Sequence, residues 1–175
     1  MLKTILIVAV VALAGVLVHA AMQPDTFRVQ RVATIDAPPD KVFPLIADFH
    51  RWEAWSPWEK RDPAMKRVHD GAASGRGAIY AGEGNRDVGK GRMEIVDATA
   101  PSNVAIRLDF IAPMEAHNVA EFKLIPRGNA TDVVWSMHGP SPFLSRLMQV
   151  FVSMDRMVGK DFKAGLANLK SLAER

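Results

Sequence analysis

The sequence predicts an α+β domain in which a strongly curved antiparallel sheet grips a long C-terminal helix, preceded by an N-terminal transmembrane or signal segment. Three observations predict it. Apolar and polar residues alternate along successive runs between Arg92 and His138, the pattern of strands with one covered face. From Phe143 to Leu172 the apolar residues switch to near-helical spacing and keep it to the end of the chain. Ahead of both, Ile5 to Val18 is apolar without interruption.

That first run belongs outside the fold. Thr4 to Met22 is about 19 residues, within the ~17–25 that span a bilayer, and it lacks the polar face of a core helix. Two readings stay open for residues 1–22: a retained membrane anchor, or a signal peptide cleaved after the small-residue site Val18-His19-Ala20. Lys3 and the amino terminus favour a cytoplasmic N-terminus and so an extracytoplasmic domain; cleavage would instead release a secreted or periplasmic protein. Residues 23–26, Gln-Pro-Asp-Thr, form a polar linker short enough to hold an anchored domain, residues 27–175, beside the bilayer.

About 150 residues are left, enough for one domain with a real core. The chain has no cysteine, which removes thiolate catalysis, disulfides and Cys-based zinc sites. Its formal charge of +3 comes from Lys and Arg scattered along the chain, so no nucleic-acid interface is expected.

Phe27 to Ile35 alternates around Phe27 and Val29 and reads as the first strand. Ala37-Pro38-Pro39-Asp40 ends it and opens a helix, because proline fixes φ and needs no N–H partner in a first turn. Val42, Phe43, Leu45, Ile46 and Phe49 give that helix one apolar face, and Pro44 keeps it short or kinked. A loop with Trp52, Trp55 and Trp58 follows. Met65 to His69 and Gly77 to Ala81 are short strands separated by turn residues, and Gly82 to Gly91 is a hairpin loop rich in residues that accept positive φ. No helix follows those glycines, so they do not make a phosphate-binding loop.

Arg92 to Asp97, Val104 to Phe110, His117 to Ile125 and Asp132 to His138 complete an antiparallel meander. Ile106, Leu108, Phe110, Phe122, Trp135 and Met137 fall on its apolar face, while Glu94, Asp109, Glu121 and His138 fall on the other. Ser141 is a candidate N-cap with Pro142 at the first helical position. Gly159 either breaks the C-terminal stretch into two helices or lets one long helix approach the sheet closely.

The Ala37-Pro38 strand end, the Val42-Phe43 helix, Asp48-Phe49, Trp52, Trp55 and Pro57 together resemble the opening of the polyketide cyclase/dehydrase-like branch of the START/Bet v1-like (SRPBCC) superfamily. The resemblance continues in Gly75, Gly77 and Tyr80, in Gly91-Arg92-Met93, and in Gly159-Lys160-Asp161-Phe162 with Gly165-Leu166 and Leu169-Lys170, so it covers Phe27 to the C-terminus. It implies the helix-grip fold. It leaves function open, since the superfamily spans lipid carriers, hormone receptors, cyclases and co-chaperones. Where many relatives carry a second aromatic residue two positions after Tyr80, this chain has Gly82, which would widen the cavity mouth or loosen the hairpin.

A sheet half-wrapped around a helix can leave an apolar cavity between them. Its expected wall is Met93, Ile106, Leu108, Phe110, Phe122, Trp135 and Met137 from the sheet, with Phe151, Met154 and Met157 from the helical region and Tyr80 beside them. The many methionines suit a wall that adapts to varied ligands, and equally a packed core. Trp52, Trp55 and Trp58 are either a lid over the entrance or a small core that fastens their loop.

Catalytic patterns are thin. The histidines have no metal-ligand spacing and no serine sits in a nucleophile elbow, so neither a metal nor another cofactor is implied. Tyr80, as a hydrogen-bond donor, and His117, as a proton shuttle, are the two candidate catalytic residues. The leading reading is membrane-tethered binding of a small hydrophobic or amphipathic ligand, lipid or polyketide-like, in that cavity. A cofactor-independent cyclase/dehydrase-type enzyme is one alternative, and a protein-interaction module of co-chaperone type is another. An ionisable group inside the cavity would favour the enzyme; a solid interior would favour the interaction module.

Overall fold

The computed structural model describes residues 1–175 and runs through α1 (Leu2–Met22), β1 (Thr26–Ile35), α2 (Pro39–Ala47), a 3-10 turn (Phe49–Ala54), β2 (Lys66–Gly71), β3 (Ala78–Glu83), β4 (Lys90–Thr99), β5 (Asn103–Ala112), β6 (Ala116–Arg127), β7 (Ala130–Pro140), α3 (Phe143–Gln149) and α4 (Met154–Ala173). The strands form one antiparallel sheet in the order β1-β7-β6-β5-β4-β3-β2, so the meander from β2 to β7 is extended by β1 pairing on β7. The expected α+β helix-grip architecture is the one observed.

Register fixes which side chains meet α4. Val29 and Ile35 of β1 lie beside Met137 and Thr131, Trp135 lies beside Phe122, and Ala120 beside Ile106, so these line one concave face. A register shift at Ile95/Asp97 marks a bulge in β4, the usual device for bending a strand. Phe162, Leu166 and Leu169 of α4 close that face and are buried, each contributing about 1.5–3 kcal/mol by leaving water.

The two ends of the sheet differ. At the lower end Thr26 pairs with Pro140, Phe110 with Ala116 and Lys66 with Glu83, and the chain enters here from α1. Toward the upper end, α4 finishes with the Glu174 carboxylate accepting the Asp36 N–H (2.6 Å) and Lys170 donating to the Thr34 carbonyl (2.8 Å).

The C-terminal helices depart from the expected boundaries. The break falls after Gln149, and Ser153 caps α4 by accepting from the Arg156 N–H (3.3 Å). Gly159 therefore does not break the helix; a Cβ there would lie 2.1 Å from Arg31 Nη2, and the guanidinium in that space holds Asp155 at 2.7 and 2.9 Å. Pro142, one residue later than expected, is the cap of α3, and Ser141 is buried with its hydroxyl accepting from Gln149 Nε2 (2.7 Å). α1 is long and apolar enough to cross a membrane, as a signal sequence also is, and only Ala20 in it is buried.

Candidate functional site

The concave face is solid in its middle. Trp135 stacks on Phe162 (centroids 4.2 Å apart, 7° between planes) and on Phe122 (4.7 Å), while Trp55 and Trp58 meet Trp135 edge-on at 5.7 and 5.8 Å. This corrects the expected enclosed cavity: Ile106, Phe122, Trp135 and Met137 do lie on the concave face, but as buried members of one core cluster. Large flat rings pack to crystal-like density when an α-helix can come close, and Gly165 supplies that approach.

Of the two roles weighed for the tryptophan loop, the geometry selects the fastening core for Trp52 and Trp55. Both are buried, their indole N–H groups donate to the carbonyls of Ile46 and Leu45 at 2.9 Å, and Asn168 of α4 donates to the Trp55 carbonyl (3.0 Å). Neither is a lid. Trp58 alone stays half-buried, and its loop is tied to α4 by an Arg61–Asp161 ion pair.

Below Trp58 the face is less covered. Met93 and Leu108 are half-buried and Phe110 is 40% exposed, with Phe27, Met154 and Val158 partly buried against the same core. Asn118 is buried on this wall, and its Oδ1 has no hydrogen-bond partner; it takes the space a Cβ on Gly139 would need. Phe151 and Met157, expected on the wall, are instead at the surface, 69% and 53% exposed.

Tyr80 lies on the concave face but is already engaged. Its hydroxyl donates to Glu59, whose carboxylate also pairs with Arg67 Nε at 2.7 Å. Burial, and then the bond to Glu59, push the Tyr80 phenol above its ordinary value, so it stays protonated. His69 meets the Tyr80 ring edge-on (5.1 Å) and stacks on His50 (4.2 Å); burial and then the neighbouring His50 hold it below the usual imidazole value. Glu59 was missed because Trp58-Glu59-Lys60-Arg61 reads as a solvated loop, and nothing in its spacing announces Arg67 or Tyr80.

His117 is not inside. It stands on the outer face with Asp109 (2.8 Å), beside Arg107, which reaches both Asp109 (3.3 Å) and Glu94 (2.7 Å). The hydrogen bond to Asp109 raises the His117 imidazole and lowers the carboxyl. A shallow cleft of about 680 Å³ on that side is lined by Arg28, His117, Val119 and His138, and a smaller one of about 250 Å³ lies between the linker, β1 and the start of α4. Both open at the lower end.

A family model described as polyketide cyclase/dehydrase and lipid transport matches residues 26–174. No curated protein matches the sequence. Among solved structures, protein CV1439 from Chromobacterium violaceum is 16% identical, with a TM-score of 0.58 over 87% of this chain and 99% of that one. Protein MLL2253 from Mesorhizobium loti is 19% identical, TM-score 0.57, over 86% of this chain and 97% of that one. The di-domain ARO/CYC StfQ from the steffimycin biosynthetic pathway is 12% identical, TM-score 0.63; 85% of this chain matches 51% of it, so this chain spans about half its length. At these identities the likeness is one of fold.

Proposed function

The chain belongs to the polyketide cyclase/dehydrase and lipid transport family, and from that premise we propose that it is a membrane-tethered binder of a small hydrophobic or amphipathic molecule. The ligand, lipid-like or polyketide-like, occupies the lower part of the groove between sheet and α4. One observation carries this reading: Met93 and Leu108 continue the apolar core half-buried toward the lower end, with Phe110 exposed beyond them, without the cover that Trp58 and Phe162 give Trp135 above. An alkyl chain or flat ring laid there removes that surface from water, at about 25 cal/mol per Å².

The cyclase-type alternative draws on the ionisable set nearest the groove, Tyr80, Glu59 and Arg67. Tyr80 and Arg67 both bond the Glu59 carboxylate, and Arg67 spends its other donors on loop carbonyls such as that of Met65 (2.7 Å), which supports anchoring of the loop more than proton transfer. Burial of Trp52 and Trp55 likewise removes the exposed tryptophan loop that the interaction-module reading would need.

The test is uptake of a fluorescent fatty acid and of a fused-ring aromatic by the detergent-solubilised chain. Leu108→Asp places a charge on the proposed wall and is expected to abolish uptake. Retained uptake by a folded Leu108→Asp protein, or none by the parent with either probe, would sink the reading.

A further inference from the structure

Exposed large apolar side chains of the domain are unevenly placed. Val32, Val68 and Ile125 stand singly along the strands, but Ile111 and Met114 at the β5–β6 turn, and Phe143, Leu144, Phe151 and Val152 on or just after α3, gather at the lower end. α3 has no buried residue, so it is not there to complete the core.

Its strongest tie is to α1. Arg146 of α3 donates from Nη1 to the carbonyls of Ala21 (3.3 Å) and Gln23 (3.2 Å), partners that the end of α1 lacks within its own helix, and Ala20 is fully buried nearby. α3 is thus held where α1 ends, and α1 is a helix of 21 residues with a mean hydropathy of 2.7.

We propose that α3 and the two residues Phe151 and Val152 lie in the head-group layer of the bilayer that α1 spans, so that the domain rests on the membrane by its lower end. The inference rests on the reading of α1 as a retained anchor. A short element with one apolar side enters that layer by roughly 5–10 Å, sinking its apolar residues into the acyl boundary while arginines stay at the phosphates. Arg146, 5.7 Å from the centre of the Phe143 ring, is placed for this division. The consequence for the groove is direct. Its open end faces the surface from which an apolar ligand would arrive.

The absence of cysteine makes the test clean, because one introduced thiol is the only label site. Leu144→Cys, Phe151→Cys, Val8→Cys in α1 and Val32→Cys on a strand would each carry an environment-sensitive fluorophore. The full chain is placed in phosphatidylcholine/phosphatidylglycerol vesicles with and without nitroxide-bearing lipid. The expected result is a blue shift and loss of most emission at 8, 144 and 151, with emission retained at 32. Quenching at 8 with water-like emission at 144 and 151 overturns the inference and leaves the anchor standing. No quenching at 8 removes anchor and inference together. Blue-shifted but unquenched labels at 144 and 151 mean that a second copy covers this face, which also overturns it.

Discussion

Gly165 of α4 faces the ring of Trp135 so closely that a Cβ on it would lie 2.7 Å from Cζ3, and 3.2 Å from Pro57 Cδ. Trp135 cannot retreat, since its ring is held between Phe122 and Phe162. Gly165→Ala is therefore expected to cost about 1–3 kcal/mol through overpacking, against a gain of up to about 1 kcal/mol in helix propensity. Thermal unfolding measures it; an unchanged or raised midpoint would show that α4 is not pinned on this ring.

Trp55→Ala separates a fastening residue from a lid. With the side chain fully buried, truncation should destabilise by about 3–5 kcal/mol, the range for large aromatics in cores. Fatty-acid uptake should fall only in step with the folded fraction. A stable variant that no longer takes up ligand would restore the lid.

Tyr80→Phe removes one hydrogen bond to Glu59 and leaves the Arg67 pair, so a loss of about 0.5–1.5 kcal/mol is expected with uptake unchanged. Arg67→Ala strands a buried carboxylate and should cost more, about 3–5 kcal/mol. Denaturant titration of both variants gives the order. The reverse order would mean that Glu59 does not depend on Arg67.

Much of this fold could be read from the chain because strand parity and helix spacing are local. Val104, Ile106 and Phe122 fall on the parity expected for the covered face and are buried there. The same parity places His117 on the side of Val119, away from Ala120 and Phe122, and the outer face is where it stands. Two features were not legible. Whether a sheet and helix enclose space depends on ring orientations such as those of Trp135 and Phe162, which no periodicity encodes. The Glu59 pairing joins a loop residue to Arg67 of β2 and Tyr80 of β3, which it meets only after folding, and a loop carboxylate looks solvated until its partners arrive.

The pH dependence of stability should carry two opposed histidine contributions. His69 is held below its ordinary value, so the unfolded chain binds its proton more readily. Its contribution is present above the unfolded value near 6.5 and is lost as pH falls toward the folded one. His117 is raised by Asp109, so its contribution is full below 6.5 and is lost as pH rises through the folded value. His50 and Asp48 act on His69 in opposite senses, and removal of His69 itself avoids sorting them. Between about pH 7.5 and pH 5, above most carboxylate titration, His69→Gln should reduce the drop in unfolding midpoint and His117→Gln should enlarge it. The exposed His117 pair is screened by salt, so its difference should shrink at high ionic strength, while that of His69, whose shift comes first from desolvation, should change less. Midpoints of the three proteins at both pH values and two salt concentrations decide it; identical profiles for parent and His69→Gln would mean that the imidazole titrates normally beneath His50.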